Sequence, residues 1–487
     1  MLLSKILNNL PVIQVIGNSN EIDINKISID SRTTAKGSVF IALKGLKTDG
    51  HKYIQQAVSN GVSAIVVDEE NSNIDRLLAS NNIVKILVNN SRTALSQFSK
   101  TLFDDPSSKL NLIGITGTKG KTTTSYYLKN ILESTGQKTG LIGTNKNMIG
   151  DKDIPTKYTT PESHVLNELM SNMVNEDCVN CVMEVSSHAV EMERVSNLDF
   201  NIGVFTNITS DHLDYHKAFE NYLNAKKKFF TSLKKEAFVI YNKDDENSGI
   251  LLSESEAEKV SYSLNLTSDL KINELEYDLD GTKFDLTFRN KNYSVITKLI
   301  GKFNAYNAVA AIGAAVYSNV PIEKSIDGIY STIQVPGRFE VISSKNKKVI
   351  VDYSHTADSL QQALEAIHHI VKNDRPIYTV FGCGGDRDKT KRPIMGKIAV
   401  ENSKFVFITS DNPRSEDPYD IIKDITSNIN TKNFKVIEDR ETAIKSAINE
   451  SEENAVILIA GKGHENYQEI SGVRNYFSDK ETAEKYL

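Results

Sequence analysis

The sequence predicts an α/β fold with largely parallel sheets, and three observations support this. Apolar, strand-like runs are repeatedly followed by helical stretches along the 487 residues, which is the pattern of βα units. A glycine-rich loop lies between one such strand and an amphipathic helix. Near the end of the chain, four apolar strands run straight into polar or glycine-rich residues. Parallel strands bring such carboxyl ends to one edge of a sheet, where ligands bind.

Length and composition predict several domains and exclude some classes of protein. We expect about three domains, at residues 1–107, 108–335 and 336–487. The net charge of -6 argues against a nucleic-acid partner. No apolar run is long enough to cross a bilayer and no signal segment is evident, so we expect a cytoplasmic protein without membrane insertion. We also expect a monomer. The three cysteines are expected to be core residues.

The first domain is predicted from short β-like segments that carry no phosphate-binding loop. It ends at the breaker Asp104-Asp105-Pro106-Ser107, and the turn Pro336-Gly337-Arg338 is suited to the second joint between domains. The β-like segments are Val39-Phe40-Ile41-Ala42, Ala64-Ile65-Val66-Val67 and Val84-Lys85-Ile86-Leu87-Val88.

The central domain is defined by a loop that follows the strand Leu112-Ile113-Gly114-Ile115 and opens a helix. Its glycines let backbone N–H groups turn inward around phosphate oxygens, and the positive end of the helix points to the same place. Lys121 is suited to neutralise the outer phosphates and Thr122 to offer a hydroxyl to Mg²⁺. The loop therefore predicts an ATP site, although Ile115 stands where the usual pattern has glycine. The residues predicted to line it are Gly117, Thr118, Lys119, Gly120, Lys121, Thr122 and Thr123.

Two further strands of this domain end in polar residues that would lie beside the nucleotide. The strand Cys181-Val182-Met183 ends at Glu184, and another leads to Asp211 and His212. Magnesium prefers oxygen ligands, so Glu184 and Thr122 are its predicted ligands. By residue chemistry alone, His212 is a hydrogen-bonding residue instead.

The third domain is predicted to be Rossmann-like and to present a binding site, because its four apolar strands end at a common edge. The polar segments that follow these strands are Asp352-Tyr353-Ser354-His355, Gly382-Cys383-Gly384-Gly385-Asp386-Arg387, Ser410-Asp411-Asn412-Pro413-Arg414 and Gly461-Lys462-Gly463-His464-Glu465.

A series of motifs, taken in order, resembles the Mur ligases of peptidoglycan synthesis, and the match spans nearly the whole chain. The motifs are Thr116-Gly117-Thr118-Lys119-Gly120-Lys121-Thr122, Glu184-Val185-Ser186-Ser187-His188, Asp211-His212-Leu213-Asp214-Tyr215-His216, Gly301-Lys302-Phe303-Asn304 with Asn307, Pro336-Gly337-Arg338-Phe339-Glu340 and Asp352-Tyr353-Ser354-His355-Thr356.

The resemblance implies an ATP-dependent ligase that forms an amide bond. More narrowly, the chain is similar to those members that add meso-2,6-diaminopimelate to the D-glutamate γ-carboxylate of UDP-N-acetylmuramoyl-L-alanyl-D-glutamate. The expected reaction passes through an acyl phosphate and releases ADP. Because an acyl phosphate hydrolyses in water, we expect the third domain to close over the first two, with a hinge near Pro336-Gly337.

The same resemblance assigns residues to the two nucleotide substrates. For ATP it adds Asn304, Asn307, Arg338, Asp352 and His355. For the UDP-muramoyl dipeptide it indicates Ser31, Thr159, Thr160, Ser186 and Arg194, with Met192 standing where the family often has glutamine. From the residues alone, Ser31 is a turn residue and the two asparagines are helix-start residues.

The resemblance also reverses one interpretation made from composition. Lys226, in the run Lys226-Lys227-Lys228, is by composition part of a solvated helix face. In the family, the aligned lysine reacts with carbon dioxide to form a carbamate that helps to hold a second magnesium ion, and His212 joins the metal ligands. Catalytic roles are thereby implied for Lys121, Lys226, His212 and Arg338.

The choice of amino acid is predicted from Arg414. An arginine at the carboxyl end of a strand can bind a ligand carboxylate with two hydrogen bonds, and diaminopimelate has a carboxylate that lysine lacks. The simpler interpretation is a surface arginine in an Asn-Pro turn. With the contacts that the resemblance adds, the predicted site for diaminopimelate consists of Arg387, Asp411, Asn412, Pro413, Arg414, Gly461 and Glu465.

Three alternatives remain open at this point. The nearest is the same type of enzyme adding L-lysine, and the next is a ligase like folylpolyglutamate synthetase, against which the first-domain segment Asp30-Ser31-Arg32 speaks. The third is a P-loop NTPase that hydrolyses nucleotide only to change shape. An ATPase assay with each substrate omitted separates the third from the others.

Overall fold

The computed structural model describes residues 1–45, 48–211, 213–344, 346–372 and 374–487. It confirms the predicted α/β class, with three main sheets that are mostly parallel. The sheets fall within the three predicted domain ranges, whose boundaries stay predictions. Within the described part of the chain, no helix combines the length and apolar character needed to cross a bilayer.

The N-terminal sheet has five strands in the order β1-β5-β4-β3-β2, and only β1 runs antiparallel to its neighbour. Apolar residues of its central strands are buried on both faces, and Phe98 packs among them. The elements are α1 (Leu3–Leu7), β1 (Val12–Ile16), β2 (Lys26–Ser28), β3 (Ser38–Ile41), α2 (Ile54–Ser59), β4 (Ala64–Val67), α3 (Ser72–Ser80), β5 (Val84–Val88) and α4 (Ser91–Leu102).

The central sheet has eleven strands in the order β16-β15-β14-β13-β12-β11-β6-β10-β7-β8-β9. The strands from β7 to β14 along this order pair in parallel, and antiparallel strands extend both edges. Its elements are β6 (Asn111–Thr116), α5 (Lys121–Ser134), β7 (Thr139–Ile142), β8 (Asn147–Ile149), β9 (Lys152–Ile154), α6 (Ser163–Asn175), β10 (Asn180–Glu184), α7 (Ser187–Glu191), β11 (Ile202–Phe205), α8 (Leu213–His216), α9 (Phe219–Thr231), β12 (Phe238–Asn242), α10 (Ser248–Leu251), β13 (Glu258–Ser263), β14 (Leu270–Tyr277), β15 (Thr282–Phe288), β16 (Lys291–Thr297), α11 (Lys302–Val316) and α12 (Ile322–Ser331).

Helix α5 follows the phosphate loop as predicted and packs against the central sheet. Its predicted apolar face, Tyr127, Leu128, Ile131 and Leu132, is fully buried. This packing fixes the direction of the helix, so its N-terminus lies at the carboxyl end of β6. All three cysteines of the chain are buried free thiols, which confirms the prediction of core residues.

The C-terminal sheet has six strands in the order β17-β18-β22-β19-β20-β21, parallel except for β17. A small hairpin of β23 and β24 follows it. The elements are β17 (Glu340–Ser343), β18 (Lys348–Asp352), α13 (Ala357–Val371), β19 (Ile377–Phe381), α14 (Lys391–Glu401), β20 (Phe405–Ile408), α15 (Pro418–Thr426), β21 (Phe434–Val436), α16 (Arg440–Glu450), β22 (Val456–Ala460), β23 (Tyr467–Ile470), β24 (Val473–Tyr476) and α17 (Asp479–Tyr486).

The segment between α12 and β17 joins the central and C-terminal domains and is fixed to the end of β18. The backbone N–H of Phe339 donates to the Asp352 carboxylate at 2.8 Å. The N–H of Tyr353 donates to the Gly337 carbonyl at 3.0 Å. The predicted hinge is therefore tied to one of the strands whose polar end was predicted to form a site.

Candidate active site

The phosphate loop occupies the turn between β6 and α5. Gly120 has a φ of +85°, and a Cβ atom there would lie 2.3 Å from the Asn307 side-chain oxygen, so only glycine fits. The N–H of Lys119 donates to Asn207 at 2.9 Å. The loop is thus shaped by close backbone packing against α11 and the segment after β11, before any ligand binds.

Four basic side chains converge on this loop. Lys121 Nζ donates to the carbonyls of Gly117 and Thr118 at 2.7 and 3.0 Å. Arg338, from the C-terminal domain, donates to the Thr122 hydroxyl at 3.2 Å. The other two are Lys119 and Lys226. Burial lowers the pKa of Lys121 to about 8 and also lowers the pKa of Lys119, so the site favours a negatively charged ligand that restores these charges.

Lys226 contradicts the interpretation from composition that its helix face is solvated. Its side chain is 1 % exposed, and its amine donates to the Gly117 carbonyl at 3.0 Å. The amine also lies 4.6 Å from the centre of the Tyr222 ring. Burial, and next the nearby Lys121 cation, lower its pKa well below the ordinary value, which favours the neutral amine.

The Glu184 carboxylate at the end of β10 is fully buried and surrounded by oxygen and N–H donors. It accepts hydrogen bonds from the Thr122 hydroxyl at 3.0 Å and from the Thr144 hydroxyl and N–H at 2.8 and 3.0 Å. A carboxylate beside the loop threonine is the hard oxygen donor set that Mg²⁺ prefers, so these residues fit that ion. His212, another predicted metal ligand, lies outside the described residues.

The remaining residues predicted for ATP divide into two groups. Asn307 contacts the loop, and its amide donates to the Asn304 oxygen at 3.2 Å. His355 lies near Lys119, and burial together with the Lys119 and Lys391 cations lowers its pKa to about 3. Asp352 instead faces the hinge, as described above, and supports the segment that carries Arg338.

A group of hydroxyls and one guanidinium lies next to Glu184. The Thr160 hydroxyl donates to the Glu184 carbonyl at 2.8 Å and to Ser186 at 3.2 Å. Arg194 donates to the Thr160 carbonyl at 2.9 Å and pairs with Glu162 at 2.8 Å.

Two residues predicted for the same substrate lie further from Arg194. Thr159 is linked to Glu184 through Thr144, at 3.1 Å between the two hydroxyls. Ser31 belongs to the N-terminal domain, where its hydroxyl donates to Gln56 at 2.6 Å.

The predicted amino-acid site forms at the ends of β19, β20 and β22. Asp411 and Asn412 are buried, and the Asn412 amide donates to the Glu465 carboxylate at 2.8 Å. Arg414 donates to the Gly385 carbonyl at 2.7 Å. Its guanidinium also lies beside Gly384, close to Arg387. Pro413 completes the turn, whose Asn412 carbonyl accepts from the Gly385 N–H at 2.9 Å.

Thr144 was missed from the sequence, and Tyr353 and Lys462 were predicted only as members of the polar strand-end segments, without roles of their own. Tyr353 connects the two sites, because Arg338 lies over its ring at 4.7 Å and its hydroxyl lies 3.4 Å from Glu465. Lys462 is fully buried, with its amine 3.3 Å from Glu465. Thr144 follows strand β7, so its position at the carboxyl end of a strand was the signal that could have found it.

Fold and site together define a class of protein, the ATP-dependent ligases that join an acid to an amino acid. The chain belongs to the Mur ligase family. Residues 23–102 match the Mur ligase family catalytic domain, residues 115–315 the Mur ligase middle domain, and residues 337–463 the Mur ligase glutamate ligase domain.

Curated relatives and solved structures agree with the family. The chain is 41 % identical to UDP-N-acetylmuramoyl-L-alanyl-D-glutamate--2,6-diaminopimelate ligase 1 of Clostridium acetobutylicum, over 100 % of this chain and 99 % of the relative. It is 42 % identical to the UDP-N-acetylmuramoyl-L-alanyl-D-glutamate--2,6-diaminopimelate ligase of Phocaeicola vulgatus, over 99 % of this chain and 98 % of the relative. A solved diaminopimelate ligase structure covers 100 % of this chain and 98 % of its own, with 31 % identity and a TM-score of 0.70. A folylpolyglutamate synthase of Mycobacterium tuberculosis, at 17 % identity and a TM-score of 0.64, covers 76 % of this chain and 92 % of its own and shows the fold alone.

Proposed function

We propose that this protein adds meso-2,6-diaminopimelate to the D-glutamate γ-carboxylate of UDP-N-acetylmuramoyl-L-alanyl-D-glutamate, using ATP and Mg²⁺. The observation that carries the proposal is the pairing of two strand-edge sites. The first site, at the phosphate loop, is rich in cations. The second site, at the edge of the C-terminal sheet, holds buried acids beside Arg414. Arg338 and Tyr353 connect the two sites. The relatives that match over nearly full length carry the name of this activity.

The first step is phosphoryl transfer. The γ-carboxylate oxygen forms a bond to the γ-phosphorus of ATP while the bond to the ADP oxygen breaks, which gives an acyl phosphate. Two anions repel each other, so the step needs positive charge at the transferred group. Lys119, Lys121 and Arg338 supply it. Thr122 and Glu184 would hold Mg²⁺, which when bound neutralises charge on phosphate oxygens.

Lys226 is suited to carbamate formation because burial favours its neutral amine. The neutral amine nitrogen forms a bond to the carbon of carbon dioxide, one C=O π pair moves to oxygen, and a proton passes from nitrogen to water, so that a neutral amine becomes an anionic carbamate. That anion would lie beside the Gly117 carbonyl, at the phosphate loop. We propose that it supports metal binding, together with His212.

The second step joins the amine to the activated acid. The amine nitrogen forms a bond to the acyl carbon and a tetrahedral intermediate forms. The bond from that carbon to the phosphate oxygen then breaks, and the leaving phosphate takes up the proton that the nitrogen loses as the amide is made. Glu465 and Asp411 bind the ammonium end of the amino acid, and Arg414 and Arg387 bind its carboxylates. Closure about the hinge at Pro336-Gly337 excludes water before the attack.

The acceptor substrate is held by the first two domains. Arg194 and the hydroxyls of Thr159, Thr160 and Ser186 bind the dipeptide part, next to the Glu184 carboxylate that faces the phosphate loop. Ser31 binds the uridine diphosphate. Arg194 Nη2 also donates to the Met192 sulfur at 3.3 Å, a weaker acceptor than a ligand carboxylate or phosphate.

The test supplies UDP-muramoyl dipeptide, ATP, Mg²⁺ and a panel of amino acids, and identifies the product by mass. We expect the product that contains diaminopimelate, and ADP release only when all three substrates are present. A lysine product of equal yield would indicate the lysine-adding enzyme. ADP release without acceptor or amino acid would indicate an NTPase.

A further inference from the structure

A buried ion pair underlies the amino-acid site. Arg440 begins α16 and Asp479 begins α17, and both side chains have no exposed surface. The Nε and Nη2 atoms of Arg440 donate to the two carboxylate oxygens of Asp479, each at 2.7 Å. The last helix of the chain is thereby tied to the sheet edge that carries the site.

The remaining N–H groups of Arg440 reach two backbone carbonyls. Nη2 donates to the Ala460 carbonyl at 3.1 Å and Nη1 to the Ser410 carbonyl at 3.4 Å. These carbonyls immediately precede Gly461 and Asp411, which belong to the predicted amino-acid site. Strand β19 lies between β20 and β22, so a single guanidinium spans the strand that separates the two loops.

The loops after β20 and β22 are closely packed against each other. A Cβ atom on Gly461 would lie 2.6 Å from an Asp411 carboxylate oxygen. Lys462, one residue further, lies between the two acids of the site, with its amine 3.9 Å from Asp411 and 3.3 Å from Glu465. A displacement of either loop would therefore change the position of both acids, and binding geometry is sensitive to shifts below about 1 Å.

Stability alone does not account for the pair. Apolar residues of similar volume often replace a buried ion pair without loss of stability, because removing two charges from water is costly. What apolar residues cannot reproduce is the planar fork of donors that joins two carbonyls and a carboxylate.

We propose that Arg440, held by Asp479, is a positioning residue for the amino-acid pocket, which fixes the loops after β20 and β22 and so sets the affinity for the incoming amino acid. This inference rests on the proposed function for the existence of an amino-acid substrate, but it does not depend on which amino acid is used.

The test compares Asp479→Asn and Arg440→Lys with the full-length parent, using the amino acid that the parent adds. We expect KM for the amino acid to rise about tenfold, as for one weakened charge-assisted hydrogen bond. We expect KM for ATP and for the UDP-muramoyl dipeptide to change less than about twofold. Asp479→Glu keeps the carboxylate and should restore part of the affinity.

The control is Ile448→Ala, on the same helix about 12 Å from Arg440. Ile448 is buried in the core behind the sheet, so this change should lower the melting temperature without raising KM for the amino acid. An unchanged KM in Asp479→Asn and in Arg440→Lys would overturn the inference, and if Asp479→Asn does not fold, Arg440→Lys decides. A parent protein that adds no amino acid would instead refute the proposed function.

Discussion

The phosphate loop of the central domain and the predicted amino-acid pocket of the C-terminal domain lie at equivalent edges of two mostly parallel sheets, but they differ in charge. Around the loop, the cations Lys119, Lys121 and Arg338 outnumber the acids Glu184 and Asp211, the latter 3.7 Å from Lys119, and burial lowers the pKa of both lysines. The loop therefore keeps an excess of positive charge that a polyanion would compensate.

In the amino-acid pocket, acids and bases are nearly balanced. Asp411 and Glu465 face Lys462 at 3.9 and 3.3 Å, and Arg414 lies at the rim. Burial, and next the neighbouring Asp411, raise the pKa of Glu465. A polyanion therefore suits the phosphate loop, and a zwitterion suits the predicted amino-acid pocket. Both sites lie at the carboxyl ends of parallel strands, and the net charge that remains at each site determines which ligand it favours.

The largest effect is expected where uncompensated charge is removed from the loop. Lys121→Ala should lower kcat for ADP release by about 10³-fold, because charge at the transferred phosphoryl group is lost. Steady-state kinetics with all substrates measures this. Lys138→Ala, which removes an exposed lysine paired with Glu176, should leave kcat unchanged. Equal kcat in Lys121→Ala and the parent would contradict the role of the Lys121 charge at the phosphate loop.

A second change tests whether Lys226 acts as an anion. Lys226→Ala should lower kcat by roughly 10²-fold, and small carboxylates added to the assay should restore part of it. The neighbouring Lys227→Ala removes an amine that pairs with Glu254 and should have neither effect. Full activity of Lys226→Ala, or a loss that no carboxylate restores, would contradict a carbamate at this position.

In the amino-acid pocket, Arg414→Ala should raise KM for diaminopimelate by about 10- to 100-fold, because one charge-assisted pair is lost. KM for ATP should stay constant, and the preference for diaminopimelate over lysine should fall. Competition between the two amino acids, read by product mass, measures that preference. Arg289→Ala, an exposed arginine of the central domain, serves as control. An unchanged preference for diaminopimelate over lysine would show that Arg414 does not determine the selectivity.

The smallest expected effect is in proton linkage. The pKa of Lys121 is about 8 without ligand, and bound phosphates should raise it. ATP binding by the parent should then take up more protons near pH 8 to 9 than binding by Lys121→Ala, whereas near pH 6.5, where the amine is already charged, the two should differ little. Calorimetry in buffers of different ionisation enthalpy measures the uptake, which should decrease in Lys121→Ala. If the parent took up fewer protons than Lys121→Ala near pH 8 to 9, the prediction that ATP binding raises the pKa of Lys121 would be wrong.

Much of this molecule could be predicted from local sequence pattern. The α/β class, the ATP-dependent ligase activity and the family are confirmed. The strands Val84–Val88 and Asn111–Thr116 and the buried face of α5 also form where expected. These features depend on periodicity and on glycine and lysine at fixed spacing, which neighbouring residues determine. The roles of individual site residues stay predictions.

Contacts between distant residues were decided only by the tertiary structure. Composition placed Lys226 on a solvated face, yet α9 packs it beneath the phosphate loop. No local pattern indicated that Thr144 would bind the Glu184 carboxylate, or that Arg440 would join Asp479 to two strand ends. Short-range sterics and hydrogen bonding determine which segments form strands, helices and a phosphate loop, so local sequence is enough to predict these features. Burial and charge pairing depend on which elements the fold brings together, and they set the electrostatics on which the proposed chemistry depends.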